Sequence, residues 1–150
     1  MRIVIQKVTK SELSVEGRLF SSIGQGLLVL VGIECDDNDE DIEYLVKKIC
    51  NMRIFEDKDD VMNLSVKDVD GEIMAVSQFT LMARTKKGNR PSYIDAANPS
   101  YSRPMYEKFV AALQEGCAKP IKTGEFGANM QISLVNDGPT TIIVDSKNKH

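Results

Sequence analysis

Leu27-Leu28-Val29-Leu30-Val31 is an unbroken apolar run bounded by Gly26 and Gly32. It is too short for an ordinary helix and rich in branched residues, so it reads as a strand buried on both faces, which requires a packed layer on each side of its sheet. Residues 2 to 8 alternate instead, with Ile3, Ile5 and Val8 apolar, and predict a strand with one buried face. Between them, Leu13-Ser14-Val15 and Arg18-Leu19-Phe20 flank Glu16-Gly17, a hairpin turn. The chain opens as a β-meander.

The acids of Asp36-Asp37-Asn38-Asp39-Glu40-Asp41 precede Ile42, Leu45, Val46 and Ile49, with Lys47-Lys48 near the end. Acid first, base last and an apolar stripe at i, i+3, i+4, i+7 predict a helix over about 39 to 51. Met52-Arg53-Ile54-Phe55 reads as a short strand, Asp57-Lys58-Asp59-Asp60 as a turn, and Glu72 to Leu81 as one long strand. A second helix is expected over 102 to 115, capped by Ser102, with Pro104 in its first turn and Gly116 ending it. Strands at 119 to 123, 129 to 136 and 140 to 145 close the chain, the last two joined through Asp137-Gly138-Pro139. The sum is an α+β fold, a mainly antiparallel, barrel-like sheet core with two main helices, in one domain over 1 to 150 with residues 147 to 150 frayed.

Composition narrows the chemistry. A net charge of −3 argues against a generic nucleic-acid coat, so any RNA contact has to be local. No stretch of 18 apolar residues and no secretory signal is visible, so the expected place is the cytoplasm, with no membrane contact. Cys35, Cys50 and Cys117 are odd in number and lack CxxC pairing, which predicts buried thiols rather than disulfides. The one histidine, His150, is the last residue, so a Ser-His-Asp or Cys-His nucleophile and a histidine-bound zinc are not on offer. Asp57 to Asp60 lacks the glycine and closing glutamate of a calcium loop. Gly24-Gln25-Gly26 lacks the third glycine and following helix of a dinucleotide site. Neither metal nor cofactor is expected, and any catalysis has to lean on backbone dipoles, hydroxyls and amides.

Two segments remain. Ser77-Gln78-Phe79-Thr80-Leu81 sets two hydroxyls and a carboxamide in an apolar strand, where they either satisfy one another or bind a ligand. Asn136-Asp137-Gly138-Pro139-Thr140 is a turn, and its Gly-Pro bond is a candidate cis peptide. Seen with Gln6-Lys7-Val8, Gly26 to Gly32, Met52 to Asp57, Met62-Asn63-Leu64-Ser65, Lys86-Lys87-Gly88-Asn89-Arg90-Pro91 and Thr123-Gly124-Glu125-Phe126-Gly127, they make the chain from Met1 to about Ser146 similar to the D-aminoacyl-tRNA deacylase family. Thr140 and Asn129 depart from it, standing where valine and aspartate are usual. Ser77 and Phe79 match the main branch rather than a sister branch that has proline and alanine there.

The resemblance implies the fold of that family and a homodimer that hydrolyses D-aminoacyl-tRNA and Gly-tRNA. One subunit would offer Ser77, Gln78, Phe79 and Thr80, and the other a Gly138-Pro139 wall that excludes L side chains by clash. Amides of Phe79 and Thr80, near Gln78, would hold the oxyanion; Phe126 and Met130 would hold the substrate's amino group. Assistance from the RNA 2′-hydroxyl is favoured over attack by Thr80, which has no base beside it. Arg84, Lys86, Lys87 and Arg90 are either a solvated loop or the contact for an acceptor stem. Because animal members of the family are linked to DNA replication complexes, a noncatalytic nucleic-acid-binding module is the alternative from another class.

Overall fold

The computed structural model describes all 150 residues. Strand β1 (Arg2–Val15) is the spine of the sheet. Along one edge it pairs antiparallel with β2 (Arg18–Ile23) and then β3 (Gly26–Gly32), which together form almost one continuous partner interrupted at Gly24 and Gln25. Along the other edge runs β8 (Met130–Asp145), also antiparallel. Beyond β3 lie β6 (Glu72–Ser77) and β7 (Lys122–Thr123), both added in parallel, while β4 (Phe55–Glu56) and β5 (Met62–Leu64) form a separate antiparallel pair. The sheet rolls until Ser21 Oγ donates to the Thr123 carbonyl at 2.8 Å, nearly closing a barrel.

The fold is α+β as expected, with parallel additions at β6 and β7. β3 is buried on both faces, as its sequence requires. Leu27, Val29 and Val31 enter the main core with helices α1 (Asp39–Asn51) and α2 (Pro99–Cys117), and Leu28 enters a second core with Val8, Leu13, Ile23, Met74 and Val76. Truncating such a residue to alanine costs about 2–5 kcal/mol. The predicted turn at Glu16-Gly17 is present with positive φ at both positions, the pattern of a type I′ hairpin. α1 has its predicted bounds, with Asn38 and Asp41 forming a reciprocal capping box.

Several expectations need correction. The strand predicted over 72 to 81 stops at Ser77, and residues Phe79–Met82 form a single 3₁₀ turn, because the partner strand β3 ends at Gly32 and no ladder continues. α2 starts at Pro99, not after Ser102, because the Asn98 side chain accepts from the Ser100 N–H at 3.0 Å and Pro99 takes the first helical position. Pro104 therefore lies inside the helix rather than in its first turn, and the helix runs past Gly116 to Cys117. Of the strand predicted at 52 to 55 only Phe55 is extended in a ladder, as the first residue of β4, and the partner strand β5 is not anticipated by the pattern. The segments 129 to 136 and 140 to 145 are not a hairpin. Both pair with the long β1, and between the pairs Val8↔Asn136 and Gln6↔Thr141 β1 advances two residues while β8 advances five, so Asp137 to Thr140 loops out of the sheet.

The cysteine reading is also overturned. Cys50 and Cys117 form a disulfide with Cα atoms 5.4 Å apart, and Cys35 is exposed. α1 and α2 run in the same sense, marked by Lys108 on Asp39 at 2.8 Å and by Gly116 against Val46. A Cβ on Gly116 would come within 2.8 Å of Val46 Cγ1 and 3.5 Å of Cys50 Sγ, so the bare glycine lets the helices approach closely enough to join the two sulfurs. No helix is long and apolar enough to cross a membrane.

Candidate active site

A cavity of about 610 Å³ opens where β6 ends, between the 3₁₀ turn, the start of α2 and the segment leading into β8. Its lining brings together Ser77, Gln78 and Phe79 with Phe126 and Met130, and adds Tyr93, Asn98 and Ser102. Five of the residues singled out from the sequence thus meet in one place.

Chain geometry explains the turn. Gln78 N–H still donates to the Val31 carbonyl at 2.7 Å, and its own carbonyl accepts the Leu81 N–H at 3.2 Å, so the ladder hands over directly to a helical turn. The first N–H groups of any helical turn have no acceptor within it. Here those are the amides of Phe79, which lines the cavity, and of Thr80, the next residue along the chain. The Gln78 side-chain amide donates to the Thr80 hydroxyl, which pins that hydroxyl as an acceptor. Thr80 is exposed and lies outside the cavity lining. Phe79 is 55% exposed and meets Tyr93 edge-on at 5.1 Å, an aromatic pair at the cavity mouth.

Elsewhere in the lining Phe126 packs on Tyr106, with ring centres 5.9 Å apart, and the Arg103 guanidinium lies 5.4 Å above its ring. Neither Arg103 nor Tyr106 is marked by any sequence pattern as part of the site. Burial pushes the Tyr106 phenol up, and its hydroxyl donates to the Ala75 carbonyl at 2.7 Å, so it is a neutral strut rather than an acid or base. Gly127 at φ +79 bends the segment that carries Phe126 toward Met130.

Gly138 and Pro139 are not brought into this cavity within one chain. They stand exposed on the projecting loop of β8, joined by a cis peptide bond, with Gly138 at φ +114. Asn136 Nδ2 donates to the Lys7 carbonyl at 3.1 Å and to the Thr140 carbonyl at 2.9 Å, closing the loop's base. Beneath it the buried Lys7 ammonium donates to both oxygens of Glu56, at 2.7 and 2.8 Å, which holds the Glu56 carboxyl below the usual range. The basic loop is closed at its root by reciprocal backbone bonds between Arg84 and Ser92. Arg84 is itself bound in a fork by Asp95, whereas Lys86, Lys87 and Arg90 are exposed at the tip without carboxylate partners.

Comparisons with known proteins agree with this architecture. The profile of the family described as D-Tyr-tRNA(Tyr) deacylase matches residues 4–145. Proteins named D-aminoacyl-tRNA deacylase from Flavobacterium psychrophilum and Flavobacterium johnsoniae are 57% and 58% identical over 149 residues, 99% of this chain and 99% of each relative. Among solved structures, one described as c-Myc DNA Unwinding Element Binding Protein superposes with a TM-score of 0.91 at 39% identity, covering 97% of this chain and 98% of its own. Another, described as a probable eukaryotic D-amino acid tRNA deacylase, shares the fold at a TM-score of 0.81 and 16% identity, covering 95% of this chain and 97% of its own. By the span of the matching profile and the identity to these relatives, the chain belongs to the D-Tyr-tRNA(Tyr) deacylase family.

Proposed function

We propose that this chain is a D-aminoacyl-tRNA deacylase, hydrolysing the ester between a D-amino acid, or glycine, and the terminal ribose of tRNA. The observation that carries the reading is the pair of adjacent unpartnered amides at Phe79, in the lining of a cavity large enough for an aminoacyl group, and at Thr80 beside it. Such donors are worth most in a tetrahedral intermediate, where charge develops on the oxygen they face. The ester is activated and already sits beside a ribose hydroxyl, so positioning does much of the work. Thr80 is a poor nucleophile here: its hydroxyl accepts from Gln78 and no base adjoins it, which favours the RNA 2′-hydroxyl. The Phe126 carbonyl and the chain at Met130 hold the substrate's amino group.

The chain works as a homodimer in this reading. Gly138 and Pro139 are exposed and lie outside their own chain's cavity lining, and the outer edge of β8 is an unpaired strand carrying the exposed Val135 and Ile143. A second copy docked there would receive the turn as a rigid main-chain wall in its cavity, rejecting L side chains by clash and admitting D-amino acids and glycine. Lys86, Lys87 and Arg90 would meet the phosphates of the acceptor stem. Hydrolysis in the cytoplasm would clear mischarged tRNA before translation.

The test is ester loss from D-tyrosyl-tRNA, L-tyrosyl-tRNA and Gly-tRNA, with turnover expected for the first and third only. A second reading, a nucleic-acid-binding module without turnover, is favoured by the 39% identical structure described as a DNA unwinding element binding protein. Background rates on all three substrates, together with DNA binding, would establish it instead.

A further inference from the structure

Arg2 occupies the end of β1, paired with Gly32 of β3 on one side and with Asp145 of β8 on the other. Its guanidinium reaches beyond the sheet in two directions. Nη1 donates to the Leu81 carbonyl at 3.0 Å, and Nε donates to Asp145 Oδ2 at 3.0 Å. The other Asp145 oxygen accepts the N–H groups of Lys147 and Asn148 at 2.8 and 3.0 Å, so the carboxylate is fixed before it meets Arg2. Burial would push that carboxyl up, but these backbone donors and Arg2 outweigh it and hold it ionised, below its ordinary range.

Leu81 belongs to the 3₁₀ turn, and its carbonyl is one of those that a helical turn leaves without a donor at its C-terminal end. A single turn of this kind has poor intrinsic hydrogen-bond geometry and takes its orientation from whatever holds its ends. The start is held by the Gln78 N–H on Val31, the underside by close packing of Leu81 and Met82 on Gly32, and the far end by Arg2 alone among side chains.

We infer that Arg2, braced by Asp145, is a positioning residue that clamps the Phe79–Met82 turn and so fixes the direction of the Phe79 and Thr80 amides. The consequence for catalysis rests on the oxyanion role given to those amides above. A lysine at position 2 would keep the charge but not the fork, because one ammonium cannot reproduce the two diverging planar donors that bridge Leu81 and Asp145.

The test uses the full chain as Arg2→Lys, Arg2→Met and Asp145→Asn variants. Steady-state hydrolysis of D-tyrosyl-tRNA gives kcat and KM, and amide hydrogen exchange at Leu81 and Ala83, whose N–H groups bond to Gln78 and Thr80 carbonyls, reports the turn without any substrate. Arg2→Met and Arg2→Lys are expected to lower kcat roughly tenfold or more with KM within about twofold, since small misplacements of positioned groups are costly. Exchange at Leu81 and Ala83 should quicken by about tenfold while the β-sheet amides of Ile5 and Val29 keep their rates. The Arg2→Met, Asp145→Asn double variant should be no worse than Arg2→Met. Unchanged exchange at Leu81 and Ala83, or a raised KM with unchanged kcat, would overturn the clamp. If the unmodified protein fails to turn over D-tyrosyl-tRNA, the functional reading fails instead, and the clamp is decided by exchange alone.

Discussion

Gly32 carries Leu81 on bare backbone: a Cβ at position 32 would lie 2.9 Å from Leu81 Cβ and 2.8 Å from Met82 Cε. The last residue of β3 is thus the floor on which the 3₁₀ turn rests. A methyl group there has no room unless the turn lifts. Gly32→Ala is expected to cost about 1–3 kcal/mol by overpacking and to lower kcat on D-tyrosyl-tRNA more than it lowers stability can explain. Gly24→Ala is the control, because a Cβ there meets only the Glu72 side chain at 3.5 Å. Denaturant melts and kcat for both variants check this; equal kinetics would remove Gly32 from the turn's support.

The projecting loop gives a second expectation. Gly138 has φ +114, and a Cβ there would fall 2.8 Å from Thr140 Oγ1. Gly138→Ala must therefore bend the loop or tilt Thr140. Loss of D-tyrosyl-tRNA hydrolysis, or new hydrolysis of L-tyrosyl-tRNA, is expected by tenfold or more, while Cys35→Ala, a change at an exposed free thiol, stays near the unmodified protein. Indistinguishable rates for the two variants would contradict the role proposed for the loop.

Residue types fixed the elements wherever periodicity was strong. The unbroken run Leu27 to Val31 and the stripe Ile42, Leu45, Val46, Ile49 lie where their patterns put them, because each face they bury is set locally. What the pattern missed depends on distant partners. Nothing in Phe79-Thr80-Leu81-Met82 announces that β3 has run out beside it at Gly32, and nothing in Asn136 to Thr141 announces that β1 is long enough to pair with both flanks. The pairing of Cys50 with Cys117 depends on Gly116 facing Val46 across two helices. The cavity lining was legible at Ser77, Gln78, Phe79, Phe126 and Met130, but Tyr93, Arg103 and Tyr106 support it through contacts that no motif records.

Thr140 is 7% exposed and its hydroxyl has no hydrogen-bond partner in the chain. A buried hydroxyl left unpaired is a cost, and valine has nearly the same shape without it. Thr140→Val is expected to raise stability by about 1 kcal/mol, read as a higher denaturant midpoint at unchanged slope. A lowered midpoint would mean that the hydroxyl is paired in solution.

The Cys50–Cys117 disulfide closes a loop with a sequence separation of 67. Chain-entropy arguments give a cross-link of that span about 4 kcal/mol, so a strong reductant should lower the melting temperature markedly. Cys50→Ala should melt where the reduced protein melts and be insensitive to reductant, with Cys35 the one thiol that reacts before reduction in the unmodified chain. Three reactive thiols in the folded, unreduced protein would rule the bond out.

The basic loop separates a structural cation from free ones. Arg84 is bound by Asp95, and its side-chain hydrogen bonds push the guanidinium pKa further up, so its charge is spent within the loop. Lys86, Lys87 and Arg90 have no carboxylate partner. If these three alone neutralise tRNA phosphates, log affinity should fall against log salt with a slope of roughly −2 to −3. Lys86→Ala, Lys87→Ala and Arg90→Ala should each flatten that slope by a little under one unit, about 0.7–0.9. Arg84→Gln should weaken binding by loosening the loop while leaving the slope as it was, because no phosphate contact is lost. Filter binding of tRNA across a salt series measures both quantities, and a slope that Arg84→Gln flattens as much as Lys87→Ala does would show that Arg84 leaves Asp95 for a phosphate.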